Sequence, residues 1–418
     1  MKNHTFSLIS PTHNPKHLLE LHDSIRNQTY PRSHWEWIVR LNGPVEIKDI
    51  PEQIRLDPNV KISKEEEASG DKIGKIKNEA FSLGTGDILV EVDHDDILVE
   101  TCLEELNLAF QDPEVGFVYT ESPRYQTNGE FHPFSSYYGW SWYEHEWRGM
   151  KLKTMRNFEP TSLSMSMIYF QPDHVRSWRR ETYHAVGGHD KNLDILDDQD
   201  LLSRTYLVTK MRNIPKPLYI YRIDGENSWL KKVDKIGAET VKMFHNYGLA
   251  MAERDADLNG RMKLQLGDAE PLRKGYVLLS LEDYERNGGI MFKSDSVGVI
   301  HAPFFPQRVA DTQRFMSECH RVLSNNGWLF TEIPSTDGRG AWMDPRNKSF
   351  WNQNSFLYYT NGMQARFIGN DKVRFQSWRR ETRFINSWYE ENKIPTTVAW
   401  LTALKTPNRS GQPGGIDI

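Results

Sequence analysis

Within the first 120 residues, short apolar runs alternate with stretches of helical periodicity, and that alternation leaves few architectures open to the chain. Residues 5–10 read as a strand broken by Pro11. Residues 14–27 read as a helix, with Pro15 at its start and Leu18, Leu19, Leu21 and Ile25 on one stripe. Residues 35–39 form a second strand, ended by Asn42-Gly43-Pro44, and residues 60–63 a third. Residues 71–83 carry Ile73, Ile76 and Ala80 on one helical face, and the strand 88–92 follows. Residues 100–111 are again helical and 115–120 again extended. This rhythm predicts an α/β fold with a mostly parallel sheet and helices on both faces. In such sheets, sites lie beyond the carboxyl ends of strands. Pro11-Thr12-His13 and Asp93-His94-Asp95-Asp96 are both ends of that kind.

The second of these ends is chemically unusual. Ile88, Leu89, Val90 and Val92 suit a buried strand, yet it closes on three carboxylates around one histidine. Neighbouring carboxylates repel one another. A divalent cation among them removes that cost, and hard oxygen ligands suit Mg²⁺ or Mn²⁺, which in turn hold phosphates. A solvated acidic turn is the alternative.

At 418 residues the chain is long enough for two or three domains. A net charge of −5 supplies no global attraction to nucleic acid or to an anionic membrane, though a local basic groove is compatible with it. Cys102 and Cys319 lack metal-ligand spacing and read as thiols of a reducing compartment. The first residues run directly into a strand with no leader pattern, and no apolar run approaches the ~20 residues of a membrane span. The expectation is a cytoplasmic enzyme.

Residues 122–159 break the rhythm. They are long, polar and aromatic, with Trp140, Trp142, Tyr143 and Trp147 followed by Arg148, Lys151, Lys153 and Arg156, and read as a lid or binding loop. The polar stretch 255–260 reads as a boundary, with a second βα pattern from Met262 to about residue 405. Residues 406–418, rich in Pro, Gly, Asn and Ser, read as a disordered tail.

Taken in order, several segments of residues 1–255 resemble the inverting nucleotide-sugar glycosyltransferases with a GT-A fold, of the family-2 type. The segments are Phe6-Ser-Leu-Ile-Ser-Pro-Thr-His-Asn14, Gln28-Thr-Tyr-Pro31, Lys75-Ile-Lys-Asn-Glu-Ala80, Asp93-His-Asp95, Trp178 through Gly188, Asp197-Asp-Gln-Asp-Leu201 and Tyr221 through Ser228. The resemblance implies that Pro11, Thr12, Asn42, Lys77, Asn78, Asp93 and Asp95 hold a nucleotide-sugar, with UDP as the commonest nucleotide. It implies Mn²⁺ or Mg²⁺ on Asp95, with Asp93 toward the ribose or reaching the metal through water, and Asp224 where the family often has a His ligand. Asp198 matches the catalytic base. A helix N-cap is the rival role for Asp197 and Asp198, and a solvated helix face the rival role for Lys75 and Lys77. Acidic residues usual after the second strand are absent; the chain reads Val39-Arg40-Leu41-Asn42-Gly43.

The second half resembles a class-I methyltransferase fold, on residues 262–279, 317–334 and 344–356. Its glycine-rich cofactor turn is damaged: Gly267 is followed by Asp268-Ala269-Glu270-Pro271, and Ser280 stands where an acidic ribose ligand is expected. We read it as a relic, structural or acceptor-binding, without S-adenosylmethionine chemistry; a bifunctional enzyme and a non-catalytic binding module are the other options. This domain pairing resembles phage-encoded proteins, which implies a host-cytoplasmic enzyme adding glucose or arabinose to a 5-hydroxymethylpyrimidine, such as 5-hydroxymethylcytosine, in double-stranded DNA. A saccharide acceptor is the alternative. Trp140, Trp142, Arg179, Arg180 and Asp197 are the candidate acceptor contacts. Ser177-Trp-Arg-Arg-Glu-Thr182 recurs as Ser377-Trp-Arg-Arg-Glu-Thr382. This is either coincidence or a means of lining one anionic groove with Arg179, Arg180, Arg379 and Arg380.

Overall fold

The computed structural model describes residues 2–65, 72–126, 139–167, 171–223, 232–370 and 372–406. The chain divides into two compact units, one reaching Tyr247 and one starting at Gly248. The expected boundary at 255–260 lies later than this. Those polar residues are the end of a helix, Val233–Leu258. No glycine or proline falls between Gly248 and Gly260, whose φ of +59° stops the helix.

The strands of the first unit are β1 (Phe6–Thr12), β2 (Trp35–Leu41), β3 (Val60–Lys64), β4 (Ile88–Glu91), β5 (Ile97–Leu98), β6 (Val115–Glu121), β7 (Arg124–Gln126), β8 (Trp142–Trp147), β9 (Met150–Met155), β10 (Arg176–Arg179), β11 (Lys210–Pro217) and β12 (Tyr219–Ile223). Among the described residues, seven of them form one sheet in the order β11-β6-β10-β4-β1-β2-β3. β10 runs antiparallel to both neighbours, and the other pairs are parallel. The predicted α/β class is what the chain adopts. Phe6, Leu8, Trp37, Val39, Ile88 and Val90 form the core with the helices Leu18–Arg26 and Cys102–Ala109.

Pro11 does not break β1. The strand runs on to Thr12, pairing Pro11 with Arg40 and Thr12 with Leu41. On its other side β4 pairs only as far as Ile9–Glu91. At Pro11 the strand therefore has a partner on one side only, and a missing N–H there is tolerated. The aromatic segment is also more regular than expected. Residues 127–138 lie outside the described residues, but β8 and β9 form an antiparallel hairpin. Arg148 (φ +48°) and Gly149 (φ +78°) turn it, both in the left-handed region that a two-residue hairpin needs.

The second unit holds β13 (Met262–Leu266), β14 (Tyr276–Leu279), β15 (Val297–Pro303), β16 (Leu323–Pro334), β17 (Arg374–Arg383) and β18 (Thr396–Leu404). They form a sheet in the order β14-β13-β15-β16-β18-β17, parallel through β16 and antiparallel at β18 and β17. Ser280 caps the helix Leu281–Asn287, accepting from the Asp283 N–H at 3.0 Å. After β13 the chain folds back on itself. The Gln265 amide donates to the Glu270 carbonyl at 3.0 Å and accepts from the Arg273 N–H at 3.0 Å.

Candidate functional site

The carboxyl ends of β1, β2 and β4 lie side by side because the strands are parallel and in register. Pro11, Thr12 and Asn42 are therefore on one edge, and the Asn42 N–H donates to the Thr12 carbonyl at 2.9 Å. Asp93 begins the turn just past β4. That turn meets the end of β1, with the His13 and His94 rings edge to face at 5.0 Å.

The acidic turn is held mainly from β12. Tyr219 Oη accepts from the Asp93 N–H at 2.9 Å. Arg222 donates its N–H to Asp96 Oδ1 at 2.7 Å and its Nε to the Asp95 carbonyl at 2.9 Å. Asp96 is buried; burial, with Asp95 and Asp93 beside it, raises its carboxyl well above the usual carboxylate range. Asp93 and Asp95 are half-buried, and His174 Nε2 lies 3.8 Å from Asp93 Oδ2. The three carboxylates thus divide into one that closes the fold and two that line the edge. Two carboxylates on one turn suit a small hard cation that keeps some water and binds substrate phosphates. Among the described residues, no group of three or more His, Cys, Asp and Glu is arranged to hold a metal ion. Asp224 lies outside the described residues.

Asp197 and Asp198 open the helix Asp197–Val208. They do not cap it. The cap position is Leu196, in the left-handed region at φ +58° and without a side-chain cap bond. Asp197 is 4% exposed, whereas the Asp198 side chain is 25% exposed, so the second is the more accessible of the two. Arg176 Nη1 donates to Asp198 Oδ2 at 2.7 Å, and the Gln199 N–H donates to Oδ1 at 2.8 Å. Burial pushes the Asp198 carboxyl up, but Arg176 and Lys77 outweigh it and hold the group below its ordinary value. Burial pushes Asp197 the other way, up to about 6, against the pull of Lys77.

Lys77 connects this helix to β4. Its Nζ donates to Glu91 Oε1 at 2.6 Å and lies 3.4 Å from Asp197 Oδ2. Burial disfavours the ammonium, yet Asp197, Glu91, Asp93 and Asp198 together raise its pKa well above an ordinary lysine. Lys77 therefore ties the end of β4 to the start of the acidic helix. The Asn78 amide donates to the His189 carbonyl at 2.8 Å. Buried His189, pushed down to about 3 by burial, in turn meets Tyr183 Oη at 2.8 Å.

Other candidates fall elsewhere. β10 is antiparallel to β4, with Arg176 opposite Glu91 and Arg179 opposite Ile88. Arg179 and Arg180 are thus at the far end of the sheet from Asp93, which corrects their expected acceptor role. Arg179 spends its guanidinium on the carbonyls of Val115, Phe110 and Asp112. Arg379 lies over the Trp400 ring and pairs with Glu381. Trp140 is 8% exposed and packs on Phe158 at 4.4 Å, so its ring faces are taken up by the fold. Trp142 is 44% exposed, with Lys153 Nζ 4.9 Å from its ring.

Sequence reasoning missed Glu91, His174, Arg176 and His189. Glu91 did carry a signal: one acid inside Ile88-Leu-Val-Glu-Val demands a buried cation. Arg176 carried none, because its partners are distant in sequence.

Residues 7–173 match the family described as glycosyl transferase family 2. No curated protein matches the chain. Among solved structures, TarS residues 1–349 of S. aureus is similar at 21% identity, over 61% of this chain and 70% of that one, with a TM-score of 0.44. The same fragment with UDP-GlcNAc is similar at 20% identity, over 61% and 71%, with a TM-score of 0.45. The mannosyltransferase PcManGT of Pyrobaculum calidifontis, with GDP-Man and Mn²⁺, is similar at 15% identity, over 62% and 74%, with a TM-score of 0.41.

Proposed function

We propose that this glycosyltransferase is metal-dependent and inverting, and moves a sugar from a UDP-sugar to the hydroxyl of a 5-hydroxymethylpyrimidine in DNA, with glucose or arabinose as the sugar. One observation supports the catalytic part: Lys77 bridges Glu91, at the end of the strand before the acidic turn, at 2.6 Å and Asp197, the chain neighbour of Asp198, at 3.4 Å. Asp93 and Asp95 would hold Mn²⁺ or Mg²⁺. The ion supplies Lewis-acid stabilisation to a departing diphosphate. The chain's own parts do the rest. Thr12 and Asn42 border the edge where a nucleoside would lie, and Arg222 and Tyr219 keep the acidic turn in place. Asp198 takes the proton of the incoming hydroxyl as that oxygen attacks the anomeric carbon from the face opposite the leaving group.

For the acceptor, the support is the exposed face of the hairpin. Trp142 is 44% exposed and stands beside Lys153 on a face that also carries Lys151, Glu144 and Glu146, an aromatic and cationic grouping of the kind that stacks on a base and meets a phosphate. Incubation with Mn²⁺, UDP-glucose or UDP-arabinose, and duplexes with or without 5-hydroxymethylcytosine tests this by mass spectrometry. A hexose or pentose mass added only to the modified duplex is expected, with duplex binding that weakens steeply with salt. Transfer to an oligosaccharide, with no duplex affinity, would establish the saccharide reading instead. Among the described residues, no helix is long and apolar enough to cross a membrane.

The second unit is, on this reading, a methyltransferase-like domain without its cofactor. Ser280 is engaged as a helix cap, and the loop after β13 is tied to Gln265. Calorimetry with S-adenosylmethionine should therefore give no heat of binding. Micromolar binding would restore the bifunctional option.

A further inference from the structure

Five buried or half-buried charges form a circuit that alternates in sign except where Asp197 and Asp198 adjoin along the chain. Asp198 meets Arg176 at 2.7 Å, and Arg176 lies 3.7 Å from Glu91. Glu91 meets Lys77 at 2.6 Å, and Lys77 lies 3.4 Å from Asp197, the chain neighbour of Asp198. The circuit joins β4, β10 and two helices, Ile73–Ser82 and Asp197–Val208. Arg176 is 2% exposed and its Nε is used by the Pro172 carbonyl at 2.8 Å, so its guanidinium has one orientation.

We propose that Arg176 is the positioning residue of this site. It grips Asp198 by Oδ2, so that Oδ1 keeps a lone pair for the acceptor hydroxyl, and it transmits to that carboxylate the position of the strand that carries the acidic turn. The inference rests on the assignment of Asp198 as base. The geometry supplies its own reason. A carboxylate oxygen accepts more than one hydrogen bond, and among the described residues Oδ1 accepts from the neighbouring Gln199 N–H. An aspartate without Arg176 would keep its place in the sequence but lose its orientation, and small misplacements of a reacting group are costly. The groups facing Asp198 are Arg176 from β10, Lys77 from the helix Ile73–Ser82, Glu91 from β4 and Asp197 on its own helix. His189 lies 3.7 Å from Asp197. Of these, only Arg176 makes a hydrogen bond to the Asp198 side chain among the described residues.

Three variants of the full chain test this: Arg176→Gln, Arg176→Lys and Asp198→Asn. Turnover is read as UDP release from UDP-glucose with Mn²⁺ across pH. The Asp198 carboxyl is followed by ¹³C NMR, assigned with Asp198→Asn. Binding of UDP with Mn²⁺ by calorimetry serves as the fold control. Arg176→Gln should lower kcat about 100-fold with UDP affinity intact, since general-base catalysis is worth about 10²–10⁴-fold. Its Asp198 carboxyl should titrate higher than in the wild type, as expected when an adjacent cation is removed. The acid limb of the rate profile should move up with it. Arg176→Lys keeps the charge and should shift the limb less, while still losing rate through looser geometry. Wild-type kcat and an unmoved Asp198 titration in Arg176→Gln would overturn the positioning role while leaving the base assignment intact. An active Asp198→Asn would overturn both. If Arg176→Gln does not fold, wild-type turnover in Arg176→Lys is the overturning result.

Discussion

Asp198→Asn should lower kcat by about 10²–10⁴-fold, the range that general-base catalysis supplies, while leaving UDP affinity within about twofold. The substitution keeps the side chain's shape. Its amide oxygen can still accept from Arg176, so the fold around the helix Asp197–Val208 should persist. What is lost is the ability to take a proton from the acceptor hydroxyl. The neighbouring acid cannot substitute, because Asp197 is buried against Lys77 and His189. Asp197→Asn should therefore act chiefly on stability. The pH dependence carries the same sign. Arg176 and Lys77 hold the Asp198 carboxyl below its ordinary value, so the proposed base should stay ionised to a lower pH than an ordinary carboxylate. Activity that depends on this group should be lost only as pH falls through that lowered value. Steady-state kinetics from pH 4 to 8, with UDP calorimetry alongside, would check both statements. A variant that keeps more than a tenth of wild-type kcat removes Asp198 from the role.

Asp95→Asn, and chelation of divalent ions from the unmodified enzyme, should each reduce turnover by about 10³-fold. Lewis-acid stabilisation of a leaving diphosphate is worth several kcal/mol, and about 1.4 kcal/mol is a factor of ten. Asp96→Asn offers the contrast within the same turn. Asp96 is buried, its carboxyl is raised well above the usual range, and Oδ1 accepts from the Arg222 N–H. An isosteric amide meets that geometry without a charge, so its effect on kcat should be under about tenfold. Thermal unfolding with and without UDP and Mn²⁺ would separate the two, because a ligand that binds the native state raises its midpoint. Asp95→Asn should lose the metal-dependent part of that rise, and Asp96→Asn should keep it. Equal losses from both substitutions would dissolve the distinction between a cation-facing acid and a fold-closing one.

Much of the first unit was legible because its signals are local. The apolar runs at 35–39, 60–63 and 115–120 became β2, β3 and β6 with ends moved by at most two residues. The acidic turn was placed correctly past a buried strand because apolar residues followed by Asp93 and Asp95 can be read without knowing any neighbour. Boundaries were less secure. The polar stretch 255–260 looked like a linker, yet helical hydrogen bonds continue through polar residues as readily as apolar ones. Pro11 looked like a strand end, and it was tolerated because β4 stops two residues short of it.

The hexapeptide Ser-Trp-Arg-Arg-Glu-Thr marks where that legibility stops. At Ser177–Thr182 it leaves β10 and enters the helix Arg180–Ala185; at Ser377–Thr382 it is extended throughout within β17. Its first tryptophan is fully buried between strands, and its first arginine closes carbonyls at the far end of the sheet. The second copy pairs along β18 instead. Six identical residues thus take two structures because propensity is weak beside tertiary pairing. The charges at the site follow the same rule. Residue identity alone determined that acids would gather after β4 and at the start of the helix Asp197–Val208. Which acid is buried, which is held ionised and which arginine faces it depended on β10 running antiparallel beside β4, a pairing that brings Arg176 to Glu91 across 85 residues of chain. Electrostatic energy depends on distance and burial, and both come into being only when the sheet closes.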